Sequence, residues 1–208
     1  MFPKKCSQLI AEISEKTVTV VASGASLEAV RAMWRSWLPQ FRILCLTESP
    51  VHVAMWYHYA QRYTGAVLEF ACRDELDSAW LAARPVTYPA AKPEVYDAEG
   101  WASLLTMPQK SALETLFRVS TYTKSPDWNY EKEWRVATFM RLSDCGEFTD
   151  YGFDARELSA IYLGPLISSD DKAVLSTVQT EYPRVRVFEV SIGMSREFLL
   201  KEVSSVRV

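Results

Sequence analysis

Two stretches of the chain concentrate side chains capable of chemistry. The first runs from Ser49-Pro50 through Trp56-Tyr57-His58-Tyr59-Ala60 and Gly65 to Glu69-Phe70. The second is Trp128-Asn129-Tyr130-Glu131-Lys132-Glu133-Trp134-Arg135. An imidazole can pass a proton near neutral pH, a carboxylate can balance developing positive charge, and a guanidinium can hold an anion through paired hydrogen bonds. Aromatic rings beside such groups can stack on a flat ligand. The combination suits a polar site for a small molecule that carries a ring and a charge.

In the first stretch, helical spacing lines up His52, Trp56, Tyr59 and Tyr63, while His58 shares a stripe with Ala54, Met55 and Arg62. The segment is apolar on almost every face, so a buried helix is expected. It reads either as a pocket wall, with His58 donating to a phosphate or hydroxyl, or as a core helix whose polar groups satisfy one another. His58 is the stronger of the two histidines, because apolar neighbours make its charge state tunable. His52, in the first turn, is expected to be exposed. In the strand that follows, Glu69 faces either solvent or a polar pocket.

In the second stretch, strand periodicity sets Glu131, Glu133 and Arg135 on one face and Trp134 and Val136 on the other, the core side. Glu133 and Arg135 then either serve a ligand or form a solvated ion pair worth only ~0–1 kcal/mol. The preceding loop, with Lys124, Pro126, Asp127, Trp128 and Tyr130, could fold over a site.

Elements that would position these residues can be read coarsely. Helices are expected at Ser7–Lys16, Leu27–Trp37, Glu75–Ala83, Pro108–Tyr122 and from Ser168 to Glu181. Strands are expected at Thr17–Ala22, Phe41–Thr47, Ala66–Cys72, Val86–Tyr88, Lys132–Met140, Ala160–Leu163, Val185–Ile192 and around Phe198–Val206. Ser49 can accept free amide protons and Pro50 needs none at the first helical position, so a helix is expected from there to about Arg62. The proline-rich stretch Pro85–Pro93 reads as a surface loop and a weak boundary signal. The irregular mixture points to an α+β fold with a mixed, bent sheet flanked by helices.

Composition narrows the classes. A chain of 208 residues fits a single domain, 1–208. A net charge of -3 gives no broad pull toward nucleic acid or anionic membrane. No apolar run approaches the roughly 18 residues of a membrane span. Cys6, Cys45, Cys72 and Cys145 are scattered, and the expectation is buried free thiols in a reducing cytoplasm. Two histidines and no paired cysteines leave no zinc-site spacing.

The ordered motifs resemble a bacterial family, domain of unknown function 2971 (DUF2971). They are Thr47-Glu48-Ser49, then Trp56-x-His58-Tyr59-Ala60…Gly65…Glu69-Phe70, then Lys124…Trp128-x-Tyr130-Glu131-x-Glu133-Trp134-Arg135, then Leu158…Ile161-Tyr162-Leu163-Gly164. The resemblance covers about 44–181 and implies a bacterial cytoplasmic protein linked to phage defence. An ADP-ribosyltransferase-like fold is its fold-level analogy, with NAD as cofactor and transferase or glycohydrolase chemistry. On that analogy Glu133, Glu131 and His58 are the catalytic candidates. Ser49, Trp56, Tyr59, Lys124, Trp128, Tyr130 and Arg135 are the ligand-binding ones. The alternative is a non-catalytic sensor module that binds a nucleotide or a protein partner. The family's Tyr-rich first strand and Asn-Asp-Pro-Phe-like turn have no counterpart before Cys6, which implies a shortened N-terminal part.

Overall fold

The computed structural model describes residues 38–91 and 109–206, with the single positions 32, 35, 36, 93 and 99. The elements expected at Ser7–Lys16 and Thr17–Ala22, and most of the one at Leu27–Trp37, lie outside the described residues. The fold is α+β and gathers into two compact units. One holds the described residues up to Leu46 and from Arg84 to Asp150, the other Thr47–Ala83 and Tyr151 onward.

The first unit contains strand β1 (Phe41–Thr47, all but its last residue), β3 (Arg84–Pro85), helix α2 (Gln109–Tyr122) and β4 (Glu133–Phe139), with sheet order β1-β4-β3. β3 runs antiparallel to β4. The Met140 amide donates to the Gln40 carbonyl at 2.7 Å at one end of β1. Cys45 bonds Glu133 near its other end, so β1 is antiparallel to β4 as well. Phe41, Phe117 of α2 and Phe139 form a triangle with ring centres 5.2–5.6 Å apart. Because Phe139, Arg135 and Glu133 alternate onto one face of β4, α2 lies on the face that carries the charged pair. Trp134 and Val136, expected as the core side, are half-buried on the opposite face.

The second unit contains α1 (Val53–Tyr59), β2 (Ala66–Phe70), β5 (Leu158–Leu163), α3 (Ser169–Glu181), β6 (Arg186–Ile192) and β7 (Phe198–Val203). Its sheet order is β2-β5-β6-β7, with β5 and β6 parallel and the outer pairs antiparallel. A parallel pair needs a crossover, and α3 provides it. Of the three caps that the sequence offers this helix, Ser168, Ser169 and Asp170, Ser168 is the one used, its hydroxyl accepting from the Asp171 amide at 3.1 Å. One sheet face packs Ala160, Tyr162, Val190 and Phe198 with Trp56 and Ala60; the other packs Leu158, Ile161, Leu163 and Val187 with Leu175 and Val178 of α3.

Three local expectations are corrected. The helix predicted from Ser49 to Arg62 is the shorter α1, preceded by a turn in which Ser49 Oγ accepts from the Val51 amide at 3.3 Å. Glu75–Ala83 forms two 3-10 turns, Asp74–Leu76 and Ala79–Ala82, rather than a helix. Cys45, Cys72 and Cys145 are exposed free thiols, not buried ones. No described helix is long and apolar enough to cross a membrane.

Candidate functional site

The charged cluster of the first unit is built at the start of β4. The 3-10 turn Pro126–Glu131 ends in a left-handed Lys132, φ 44°. The carboxylates on either side of that residue both reach the Lys124 ammonium. Lys124 makes a direct ion pair with Glu131 and lies 3.3 Å from Glu133 Oε2. Arg135 donates from Nε to Glu133 Oε1 at 2.7 Å and from Nη2 to Oε2 at 3.0 Å. Its Nη1 donates to the Thr121 carbonyl at the C-terminal end of α2, where the helix dipole favours a cation. The backbone N–H of Glu133 donates to the Tyr88 hydroxyl at 3.0 Å.

Glu131 is 1% exposed and Glu133 5%. Carboxylates so buried are costly unless paired, and two acids with two bases leave the cluster neutral. A solvated Glu133–Arg135 pair, one of the two readings from sequence, is therefore ruled out.

The electrostatics follow from burial and pairing. Burial raises the Glu133 carboxyl, but hydrogen bonds from Arg135 and Cys45 and the nearby charges outweigh it, so it ends below its ordinary value. Burial lowers the Lys124 ammonium, and Glu131 and Glu133 together carry it back above its ordinary value. Around the exposed edge of Cys45, burial of the sulfur and the carboxylate it donates to push the thiol up to about 11.

Beside this cluster lies an aromatic pair. Lys124 Nζ sits 4.7 Å from the centre of the Trp128 ring, close enough for a cation–π contact. Trp128 is 37% exposed, and Tyr130 lies 5.9 Å from it at 38°. The turn that carries Trp128 is fixed by its amide donating to the Ser125 carbonyl at 3.0 Å and by Ser125 Oγ donating to Asp127 at 3.0 Å. Lys124, Trp128, Tyr130, Glu131, Glu133 and Arg135, all expected from sequence, thus come together.

Ser49, Trp56, His58 and Tyr59 belong to the second unit. Trp56 is 1% exposed, packs edge-on to Phe198 at 5.9 Å and donates its indole N–H to the Pro50 carbonyl at 2.6 Å. It is a core residue with no face left for a ligand, which corrects its place among the binding candidates. His58 is exposed, with its ring 5.4 Å from Tyr57, while His52 is half-buried; both reverse the expectation. Tyr59 is exposed. Glu69 is exposed and accepts from Tyr162 and, at 2.8 Å, from Ser159. Burial and that carboxylate push the Tyr162 phenol up to about 12.

Sequence reasoning missed Cys45, Tyr88 and Thr121, whose roles depend on neighbours from distant segments. Alternation along β1 offered a partial signal for Cys45. It also missed two buried anchors. Arg42 binds the carbonyls of Pro39 and Gly146 and the Thr149 hydroxyl at 2.6–2.8 Å. Glu157 accepts from the Ser78 hydroxyl and, at 2.9 Å, from the Asp154 amide. Among the described residues, no group of three or more His, Cys, Asp or Glu side chains is placed to hold a metal ion.

These features define an α+β protein whose first unit carries a neutral, buried ion cluster next to an exposed aromatic pair. The family model of DUF2971, a protein of unknown function, matches residues 55–136. The resemblance therefore spans the blocks from Trp56 to Phe70 and from Lys124 to Arg135, and Ser49 and the Ile161–Gly164 block fall outside the match. No curated protein and no solved structure matches the chain.

Proposed function

We propose that the first unit binds a nucleotide-type small molecule, with Trp128 as stacking surface and Lys124 as the cation that orients its phosphates. The observation that carries this reading is the ammonium itself. It has three protons, two of which go to Glu131 and Glu133, and it remains 22% exposed over a ring that is also exposed. Among the described residues no third acceptor takes a proton of this ammonium, which leaves one donor for an anionic group beside a stacking face. NAD, with both a diphosphate and flat rings, is the ligand to try first. Titration calorimetry tests the reading: NAD should bind saturably, with affinity at least tenfold weaker in Trp128→Ala. Absence of saturable heat from NAD, ADP-ribose and ADP alike would end it.

A second reading is catalytic: ADP-ribose transfer or NAD hydrolysis, with Glu133 opposing an oxocarbenium-like ribose. Its support is the lowered Glu133 pKa, which keeps that carboxylate charged at neutral pH. It ranks second because both Glu133 oxygens already accept from Arg135, and one also from Lys124. Nicotinamide release from NAD that disappears in Glu133→Gln supports it; intact NAD over a wide pH range removes it. A cytoplasmic setting in phage defence and a protein partner belong to the same proposal and rest on the family resemblance alone.

A further inference from the structure

The chain leaves α1 through a left-handed turn of three consecutive non-glycine residues: Gln61 (φ 47°), Arg62 (φ 53°) and Tyr63 (φ 74°). Side chains are strained in this region, and L-residues enter it as single positions rather than in runs. The surroundings impose the conformation. Arg62 N–H donates to the Tyr57 carbonyl at 3.3 Å, Tyr63 N–H to the Trp56 carbonyl at 3.3 Å, and Gly65 N–H to the Ala60 carbonyl at 2.9 Å. Leu166 N–H donates to the Tyr63 carbonyl at 3.2 Å.

Glycine would occupy such positions without strain, so the side chains need a reason to be there. Tyr63 has one in packing, its ring 6.1 Å from Phe198 and half-buried against the core. Arg62 has none of that kind. It is exposed, no carboxylate pairs with it among the described residues, and its guanidinium carbon lies over the Tyr57 ring, 5.8 Å from its centre. Tyr57 is 45% exposed, and the His58 ring stands edge-on against it. A guanidinium over an aromatic ring keeps N–H donors for a phosphate, while the exposed part of the Tyr57 ring, which also meets the Tyr63 ring at 5.9 Å, offers a surface to a base.

We infer that Arg62 and Tyr57 form a second ligand site, on the second unit, for a nucleotide, its phosphate on Arg62 and its base on Tyr57, and that the strained turn is kept because it holds Arg62 over Tyr57. This goes beyond the Trp128 site and does not depend on it. The experiment is calorimetric titration of ADP into Trp128→Ala protein, in which the first-unit site is weakened at least tenfold. ADP should bind, and both Arg62→Gly and Tyr57→Leu added to that background should weaken it at least tenfold. Pyrophosphate and adenosine alone should each bind more weakly than ADP. Arg62→Gly should also melt at or above the parent temperature, showing that lost binding is not lost folding; if it melts lower, the affinity of Tyr57→Leu decides. No ADP binding in the Trp128→Ala background, or binding unmoved by both variants, overturns the inference. Failure of the Trp128 reading shows separately, as NAD affinity that Trp128→Ala leaves unchanged in a Tyr57→Leu background.

Discussion

Arg135 grips both oxygens of Glu133, at 2.7 and 3.0 Å, although the two residues are only two apart on one strand. Neighbours on the same face of a strand diverge with the sheet twist, so a two-pronged contact needs something to hold the guanidinium back. The Thr121 carbonyl does this from the end of α2. The pair consequently ties helix to sheet as well as residue to residue.

Breaking this tie from one side should be strongly destabilising. Among the described residues, Arg135→Ala leaves the buried Glu133 carboxylate paired to Lys124, which Glu131 shares, and to Cys45, and should destabilise the protein by about 3–5 kcal/mol. Replacing both members with apolar residues of similar volume, Glu133→Leu with Arg135→Met, should recover much of that loss, because no buried charge is left uncompensated. Urea unfolding of the single and double variants measures the difference. A double variant no more stable than the single one contradicts the assignment.

The pH dependence of stability follows from the same groups. Glu133 is lower in the folded state than its ordinary value of 4.5, so the unfolded chain binds more protons in acid. That contribution is complete above about 4.5 and is lost as pH falls through the folded value. Lys124 is raised above 10.5, so its contribution is complete below about 10.5 and is lost as pH rises through the folded value. Melting temperature against pH should show a plateau between these limits. The acid limb should be shallower in Glu133→Gln; an unchanged limb in that variant counts against the cluster as its source.

The strand alternation that set Glu133 and Arg135 on one face was legible in the sequence, as was a cap for α3 within Ser168, Ser169 and Asp170. Which face of β4 is covered was not legible. That depends on Phe117 meeting Phe41 and Phe139, three rings brought together from separate segments. The apolar run in α1 misled for a related reason. Only Trp56 within it is buried, and Tyr57, His58 and Tyr59 are left exposed, so composition exaggerated its burial. The gathering of acids, bases and aromatics around Lys124 was readable because its members lie within twelve residues of one another. Cys45, Tyr88 and Thr121 were not, since only folding makes them neighbours.

Cys45 should be a poor nucleophile despite its exposed edge. With its thiol near 11, the thiolate fraction at pH 8 is on the order of 0.001, against about 0.2 for an ordinary thiol near 8.5. Iodoacetamide should therefore alkylate Cys45 on the order of a hundredfold more slowly than a free small-molecule thiol, as followed by peptide mass mapping. In Glu133→Gln the carboxylate that opposes ionisation is gone while Lys124 and Arg135 remain, so Cys45 should react faster than in the wild type. A wild-type Cys45 rate equal to that of the free thiol would refute this placement.

Gly164 lies at a close backbone approach in the second unit. Its N–H donates to the Gly65 carbonyl at 3.0 Å. A methyl group there would collide with the Tyr63 carbonyl oxygen and stand 2.5 Å from that of Gly65. Neither atom is the end of a flexible side chain, so relief requires moving the left-handed turn or β5. Gly164→Ala should therefore cost about 2–4 kcal/mol, within the upper range for strain in a packed interior. Gly65→Ala meets the Ala60 backbone at 3.1 Å, a milder crowding that a small shift relieves, and should cost less. Gly152 has open space around it, and Gly152→Ala should be neutral or stabilise by about 0.4–1 kcal/mol through the unfolded chain. The ranking Gly164, Gly65, Gly152 in urea midpoint tests the close approach directly. A Gly164→Ala protein as stable as Gly152→Ala means that β5 and the turn are not in contact as described.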